Sequence, residues 1–183
     1  MSESKIPIWR QELKSARKKE GRLSSSRWFQ LCTVNCKNEP RVRTVVFRGW
    51  LTESSILIFT DKRSEKIAHL KSNSKAEVLW LFYKSKSQFR FKGEMKELIE
   101  NTRYWDSLSD RSKLTWFWQH PGNETIKNNQ PSTVISNNLN KPENFVVLEF
   151  EIKSVDLLKL ENPIHKRYIW NKENNWKKVE INP

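Results

Sequence analysis

The chain has 183 residues, a net charge of +13 and a pI near 9.8, with 36% hydrophobic and 30% charged residues. That length suits one domain, spanning residues 1–183, with a sizeable core and a heavily charged surface. No apolar run reaches the roughly 18 residues a membrane helix needs, and the first ten residues lack the apolar centre of a secretory leader, so a cytoplasmic protein without membrane contact is the expectation.

The first predicted element is an amphipathic helix over residues 8–19, where Trp9, Leu13 and Ala16 recur at helical spacing between charges. Ser24, Ser25 and Ser26 break it. Strands follow over residues 28–34 and 41–47, joined by a turn at Asn38, Glu39 and Pro40, with Gly49 ending the second. A third strand covers residues 55–60. Ser64 then reads as the N-cap of a short helix that ends near Asn73, with Ile67 and Leu70 on one face. Residues 76–83 and 88–98 are two more strands, and residues 101–109 and 110–118 two short helices. Residues 121–144 are rich in Asn and Pro with weak periodicity, as in a long loop or lid. A strand over residues 145–160 and a hairpin closing around Asn174 and Asn175 complete the chain. Short strands with one helix between the third and fourth predict a mainly β, antiparallel barrel with peripheral helices.

Cys32 and Cys36 are too few and too close for a disulfide framework, and His69, His120 and His165 are too scattered for a metal centre, so no metal is expected. The positive charge and nine Trp would suit a barrel that binds single-stranded nucleic acid, but the basic residues are spread along the chain, and a nucleic-acid partner is not favoured. The four glycines, Gly21, Gly49, Gly93 and Gly122, form neither a G-x-G-x-x-G fingerprint nor a phosphate loop. Any phosphate must be held by side chains.

Three segments place cations and hydroxyls at strand ends. In residues 43–49, R-T-V-V-F-R-G, alternation puts Arg43, Val45 and Phe47 on one face and Thr44, Val46 and Arg48 on the other. The two arginines therefore serve different partners unless a bulge intervenes. In residues 59–66, F-T-D-K-R-S-E-K, a strand runs into a helix start, and Thr60, Arg63, Ser64 and Lys66 with the helix amides make a phosphate cradle. In residues 87–93, S-Q-F-R-F-K-G, Gln88, Arg90 and Lys92 alternate with aromatics.

Taken together, R-x-V-V-F-R-G, F-T-D-x-R-S-x-K and Q-F-R-F-K-G resemble the successive FMN-binding segments of the pyridoxamine 5'-phosphate oxidase-like flavoproteins. The closing W-x-x-x-x-x-N-P of residues 176–183 resembles that family's last strand, and residues 108–122 resemble a branch described as an FMN-binding domain. The resemblance implies a split barrel that forms a homodimer with FMN at the interface. It assigns Arg43 and Lys66 to the flavin phosphate, assisted by Ser64 and Arg63. It places Thr44, Val45, Val46, Arg48, Phe59 and Thr60 around the flavin, the valines, Phe59 and Thr60 lining the ring, and gives Gln88 a hydrogen bond to the ring's polar edge. His165-Lys166-Arg167 resembles the family's H-x-R, making Arg167 a further flavin residue and His165 a substrate-side one.

The departures concern the substrate. Leu108 stands where these oxidases carry a basic residue after their tyrosine, here Tyr104, and Pro163 where they place an arginine two before the histidine. Gln119-His120-Pro121-Gly122 replaces a Q-S pair, and Glu65 replaces the arginine of S-R-K. The expectation is an FMN-dependent oxidoreductase on a small-molecule substrate, with its catalytic residues unassigned. A non-catalytic FMN carrier or sensor is the alternative beside the nucleic-acid barrel.

Overall fold

The computed structural model describes residues 6–118, 120–124 and 139–183. The chain opens with α1 (Trp9–Glu20), then β1 (Trp28–Val34), β2 (Pro40–Val46), β3 (Gly49–Thr52) and β4 (Ser55–Asp61). Next come α2 (Glu65–Ser72), β5 (Lys75–Phe82), β6 (Ser87–Glu97), and the short α3 (Thr102–Asp106) and α4 (Asp110–Leu114). The chain ends in β7 (Phe145–Lys159), β8 (Lys166–Asn171) and β9 (Val179–Ile181). All pairings among the described residues are antiparallel, in the order β2-β1-β5-β6-β7-β4-β3, with β8 and β9 branching from β7. No ladder joins β2 to β3 among them, so the curled sheet stays open. The architecture is mainly β and antiparallel with peripheral helices, as the strand pattern predicts.

The curl has a local cause. β7 pairs with β4 through residues 145–151 and with β8 through residues 154–159, while β6 runs along both halves. The β6–β7 register shifts between Lys92 and Gly93, and a Cβ on Gly93 would lie 2.0 Å from the Glu151 carbonyl oxygen. Only glycine admits that approach, and the bulge lets β7 turn from one neighbour to the other.

The core fills the inside of this curl. Phe29, Leu31, Val78, Trp80, Phe89 and Phe91 are buried on one face of β1, β5 and β6, and α1 closes one end with Trp9, Leu13 and Ala16. Each large apolar side chain among these contributes about 1.5–3 kcal/mol by leaving water. The Trp9 ring lies 5.6–6.0 Å from Trp50, Phe91 and Trp176. A second cluster joins Leu57, Trp105, Phe145 and Val147, with Phe59, Tyr104, Leu108 and Trp116 packed against it.

Three elements depart from the sequence pattern. Gly49 opens β3 instead of only ending β2, because four residues are too few to show alternation. The helix expected over residues 101–109 shortens to α3, and the one over residues 110–118 to α4 followed by a 3-10 turn, Thr115–Phe117. Within the expected lid, residues 125–138 lie outside the described ones. Its far end is tied down: Trp105 Nε1 donates to the Leu139 carbonyl, and Asn144 Nδ2 donates to Asp61 and to the Trp116 carbonyl.

Candidate functional site

β2 and the β4–α2 junction bring two cations together at the edge of the core. Arg43 sits opposite Leu31 in the β1–β2 ladder, so its side chain starts on the core face. Lys66, in the first turn of α2, turns back toward the end of β4. Its Nζ donates to Thr60 Oγ1 at 2.8 Å and to Ser64 Oγ at 2.9 Å. Burial, reinforced by Arg43, lowers the Lys66 pKa to about 8. Among the described residues neither Arg43 nor Lys66 has a carboxylate within ion-pair distance. Asp61 and Glu65 offset the charge of Lys66, and Glu65 that of Arg43, only from beyond that distance, and two half-buried cations so placed are costly unless an anion joins them. A phosphate, accepting from Arg43, Lys66 and the hydroxyls beside the α2 N-terminus, suits that donor set.

Ser64 has the extended backbone of an N-cap, but its hydroxyl does not cap α2. The hydroxyl donates to the Asp61 carbonyl at 2.6 Å and accepts from Lys66, which correlates it with the cradle and not with the helix amides. Arg63 is turned elsewhere: it forms a forked pair with Asp61, closest at 2.7 Å, and donates to the Trp118 carbonyl. Burial alone would raise the Asp61 pKa, but hydrogen bonds from Arg63 and Asn144 outweigh it and hold the carboxyl ionised.

The arginine question in residues 43–49 resolves through different partners. β2 ends at Val46; Phe47 N–H then donates to the Arg27 carbonyl and Arg48 N–H to the Leu57 carbonyl, carrying the chain across to β3 and β4. Arg48 lies with its guanidinium carbon 5.3 Å from the Phe59 ring centroid, and its Nε is buried without a hydrogen-bond partner among the described residues. Burial and then Arg27 depress its pKa. Phe59 meets Tyr104 at 5.7 Å, which makes an aromatic wall beside this cation. Val45 packs on the core, Val46 pairs with Trp28, and Thr44 is exposed opposite Gln30.

Gln88 and Arg167 lie on the other face of the sheet. The cross-strand row Thr44–Gln30–Leu79–Arg90–Asp156–Ile169 marks that outer face, and Gln88 shares it with Arg90. Three inter-strand steps of about 4.8 Å separate β2 from β6. Asp156 draws Arg90 and Arg167 together through two ion pairs, and it stays ionised because these arginines outweigh its burial. His165 is exposed in the β7–β8 connection, with Nδ1 3.0 Å from the Glu161 carbonyl oxygen. One chain thus joins Arg43, Thr60, Ser64 and Lys66 and keeps Gln88, Arg167 and His165 apart from them. Asp61, Asn144, Asp156, Thr33 and His69 hold these groups; Asp61 lies inside the F-T-D-x-R-S-x-K segment without an assigned role there, and among the other four the one sequence hint is His69, one helical turn after Lys66.

Residues 6–98 match the family model described as "Pyridoxamine 5'-phosphate oxidase, FMN-binding domain". A relative from Arabidopsis thaliana, "Pyridoxine/pyridoxamine 5'-phosphate oxidase 2", is 30% identical over 97% of this chain and 98% of its own length. The chain belongs to the pyridoxamine 5'-phosphate oxidase FMN-binding family, and FMN is the cofactor of its domain. Among solved structures, a pyridoxamine 5'-phosphate oxidase-related, FMN binding protein from Nostoc punctiforme PCC 73102 superposes with a TM-score of 0.84 at 28% identity, covering 98% of this chain and 100% of that one. PhzG from Burkholderia lata 383, in complex with tetrahydrophenazine-1-carboxylic acid, has the same fold, with a TM-score of 0.79 at 17% identity over 96% and 91% of the two chains.

Proposed function

We propose that the protein is a homodimeric FMN-dependent oxidoreductase acting on a small anionic substrate. The observation that carries this is the placing of Lys66, bonded to the hydroxyls of Thr60 and Ser64, near Arg43, both half-buried and, among the described residues, without a carboxylate at ion-pair distance. Arg43 and Lys66 would hold the FMN phosphate, with Val45, Val46, Phe59 and Thr60 beside the ring. When bound, FMN supplies reversible hydride acceptance. The chain's own groups anchor the cofactor, exclude water with Phe59 and Tyr104, and present Arg48 as a donor to substrate negative charge.

The dimer is supported by the division of the candidate residues between two sheet faces. A flat ligand held by Arg43 on the core face would have to cross the sheet to meet the outer-face Gln88 and Arg167 of the same chain, so a second copy would complete the site. The oxidase name of the Arabidopsis relative supports redox turnover. Leu108 lies packed among aromatics and offers no donor, which favours a substrate other than pyridoxamine phosphate.

Anaerobic titration of the FMN-loaded protein with candidate amines and nicotinamide cofactors tests the proposal. Bleaching of the flavin bands with saturation, and their return on re-oxidation, is the expected result. A yellow protein that no such reductant bleaches would be a carrier or sensor. A colourless protein that cannot be loaded with FMN, yet binds oligonucleotides in a salt-dependent way, would be the nucleic-acid barrel.

A further inference from the structure

Thr33 and His69 stand directly behind the phosphate cradle. Thr33, fully buried near the end of β1, has its Oγ1 2.6 Å from Arg43 NH1 and 3.0 Å from His69 Nδ1 on α2. A threonine hydroxyl has one hydrogen and two lone pairs. Arg43 donates into one lone pair, which leaves the hydrogen for Nδ1, and a neutral ring protonated at Nε2 can accept it. Burial first, then Arg43, with Arg41 and Lys66 in the same sense and Glu65 opposing, lowers the His69 pKa and keeps that ring neutral near pH 7. The same NH1 donates to the Arg41 carbonyl at 2.8 Å and reaches the Leu31 carbonyl at 3.4 Å. Among the described residues Arg43 takes all its hydrogen bonds through NH1, so Nε and NH2 keep their donors for a ligand.

We propose that Thr33 and His69 are positioning residues for the cofactor phosphate: His69 orients the Thr33 hydroxyl, which clamps NH1 and aims the Nε–NH2 edge of Arg43 at the anion. An arginine held in its bound rotamer loses less conformational freedom when the phosphate arrives, and its fork meets two oxygens at once. Neither residue touches the ligand. The inference rests on the assignment of Arg43 to the FMN phosphate.

Flavin-fluorescence quenching by wild-type protein, Thr33→Val, Thr33→Ser, His69→Leu and Arg43→Ala, each with FMN and with riboflavin, tests it. Thr33→Val should weaken FMN about tenfold and leave riboflavin within about twofold, the scale of one hydrogen bond to a charged group. Thr33→Ser should restore FMN affinity, and His69→Leu should shift it in the same selective direction. Adding Thr33→Val to Arg43→Ala should cost nothing more. If Thr33→Val cannot be purified, His69→Leu decides by the same FMN-to-riboflavin split. Unchanged FMN affinity, parallel loss of both flavins, or failure of both variants to fold overturns the proposal. Should Arg43→Ala itself treat the two flavins alike, the phosphate assignment fails; should it discriminate while Thr33→Val and His69→Leu do not, only the positioning role fails.

Discussion

Arg43 and Lys66 differ in what they ask of an experiment. Replacing either by Ala should weaken FMN by about ten- to a hundredfold, or roughly 1.5–3 kcal/mol, while riboflavin, which lacks the phosphate, is affected much less. Equal losses in equilibrium titrations would mean that they act through the fold. Lys66 also predicts a pH dependence. Its pKa is about 8 in the folded chain, against an ordinary 10.5, so the ammonium proposed to hold the phosphate is lost as pH rises through 8. FMN affinity should therefore decline above that pH, and Lys66→Arg should abolish the decline. The sign for stability is opposite. Between pH 8 and the unfolded value the unfolded chain holds the extra proton, so the Lys66 contribution to the stability of the cofactor-free protein rises with pH in that window. Comparing the melting of wild-type and Lys66→Met across the window checks it, because the difference should narrow or reverse as pH increases.

At the scale of elements, one glycine decides how two strands meet. The bulge at Gly93 lets β7 pass from β4 to β8, and a methyl there collides with the backbone carbonyl of Glu151, which has no rotamer to escape by. Gly93→Ala should cost about 1–3 kcal/mol or more by overpacking, read as a lower urea midpoint with unchanged slope at fixed protein concentration. Gly49→Ala differs, since no atom of the described residues lies within 4 Å of a Cβ there; its φ of 139° sets the cost instead. A Gly93→Ala protein as stable as wild type would show that the β6–β7 crossing relaxes freely.

For the whole molecule, the division of the candidate residues between two faces predicts a homodimer with two equivalent FMN sites. Sedimentation equilibrium should report twice the chain mass, and a strictly monomeric protein that bound FMN tightly would remove the reason for a second copy. The substrate side carries its own prediction. With Leu108 packed against the cluster of Leu57, Trp105, Phe145 and Val147 and with Pro163 lacking both charge and N–H, the loaded protein should oxidise pyridoxamine phosphate poorly. Arg48 remains a donor, so slow residual turnover is compatible with this. Rapid, saturable turnover in a steady-state oxidase assay would return the ordinary family substrate to this chain.

Local features were readable from the sequence because local order carries them. The helical spacing of Trp9, Leu13 and Ala16 put α1 on the core, and the alternation of Phe89 and Phe91 with Gln88 and Arg90 put those pairs on opposite faces of β6. Thr60, Ser64 and Lys66 lie within one strand-to-helix junction, so their meeting needs no distant contact. Periodicity says which side of a strand is buried and nothing of which strand lies beside it. The clamp of Thr33 and His69 on Arg43, the capture of Arg63 by Asp61, and the separation of Arg43 from Gln88 all depend on strand order and curl. Those follow from long-range pairing, in which residues far apart in the chain bury a shared apolar face, and only the folded sheet decides them.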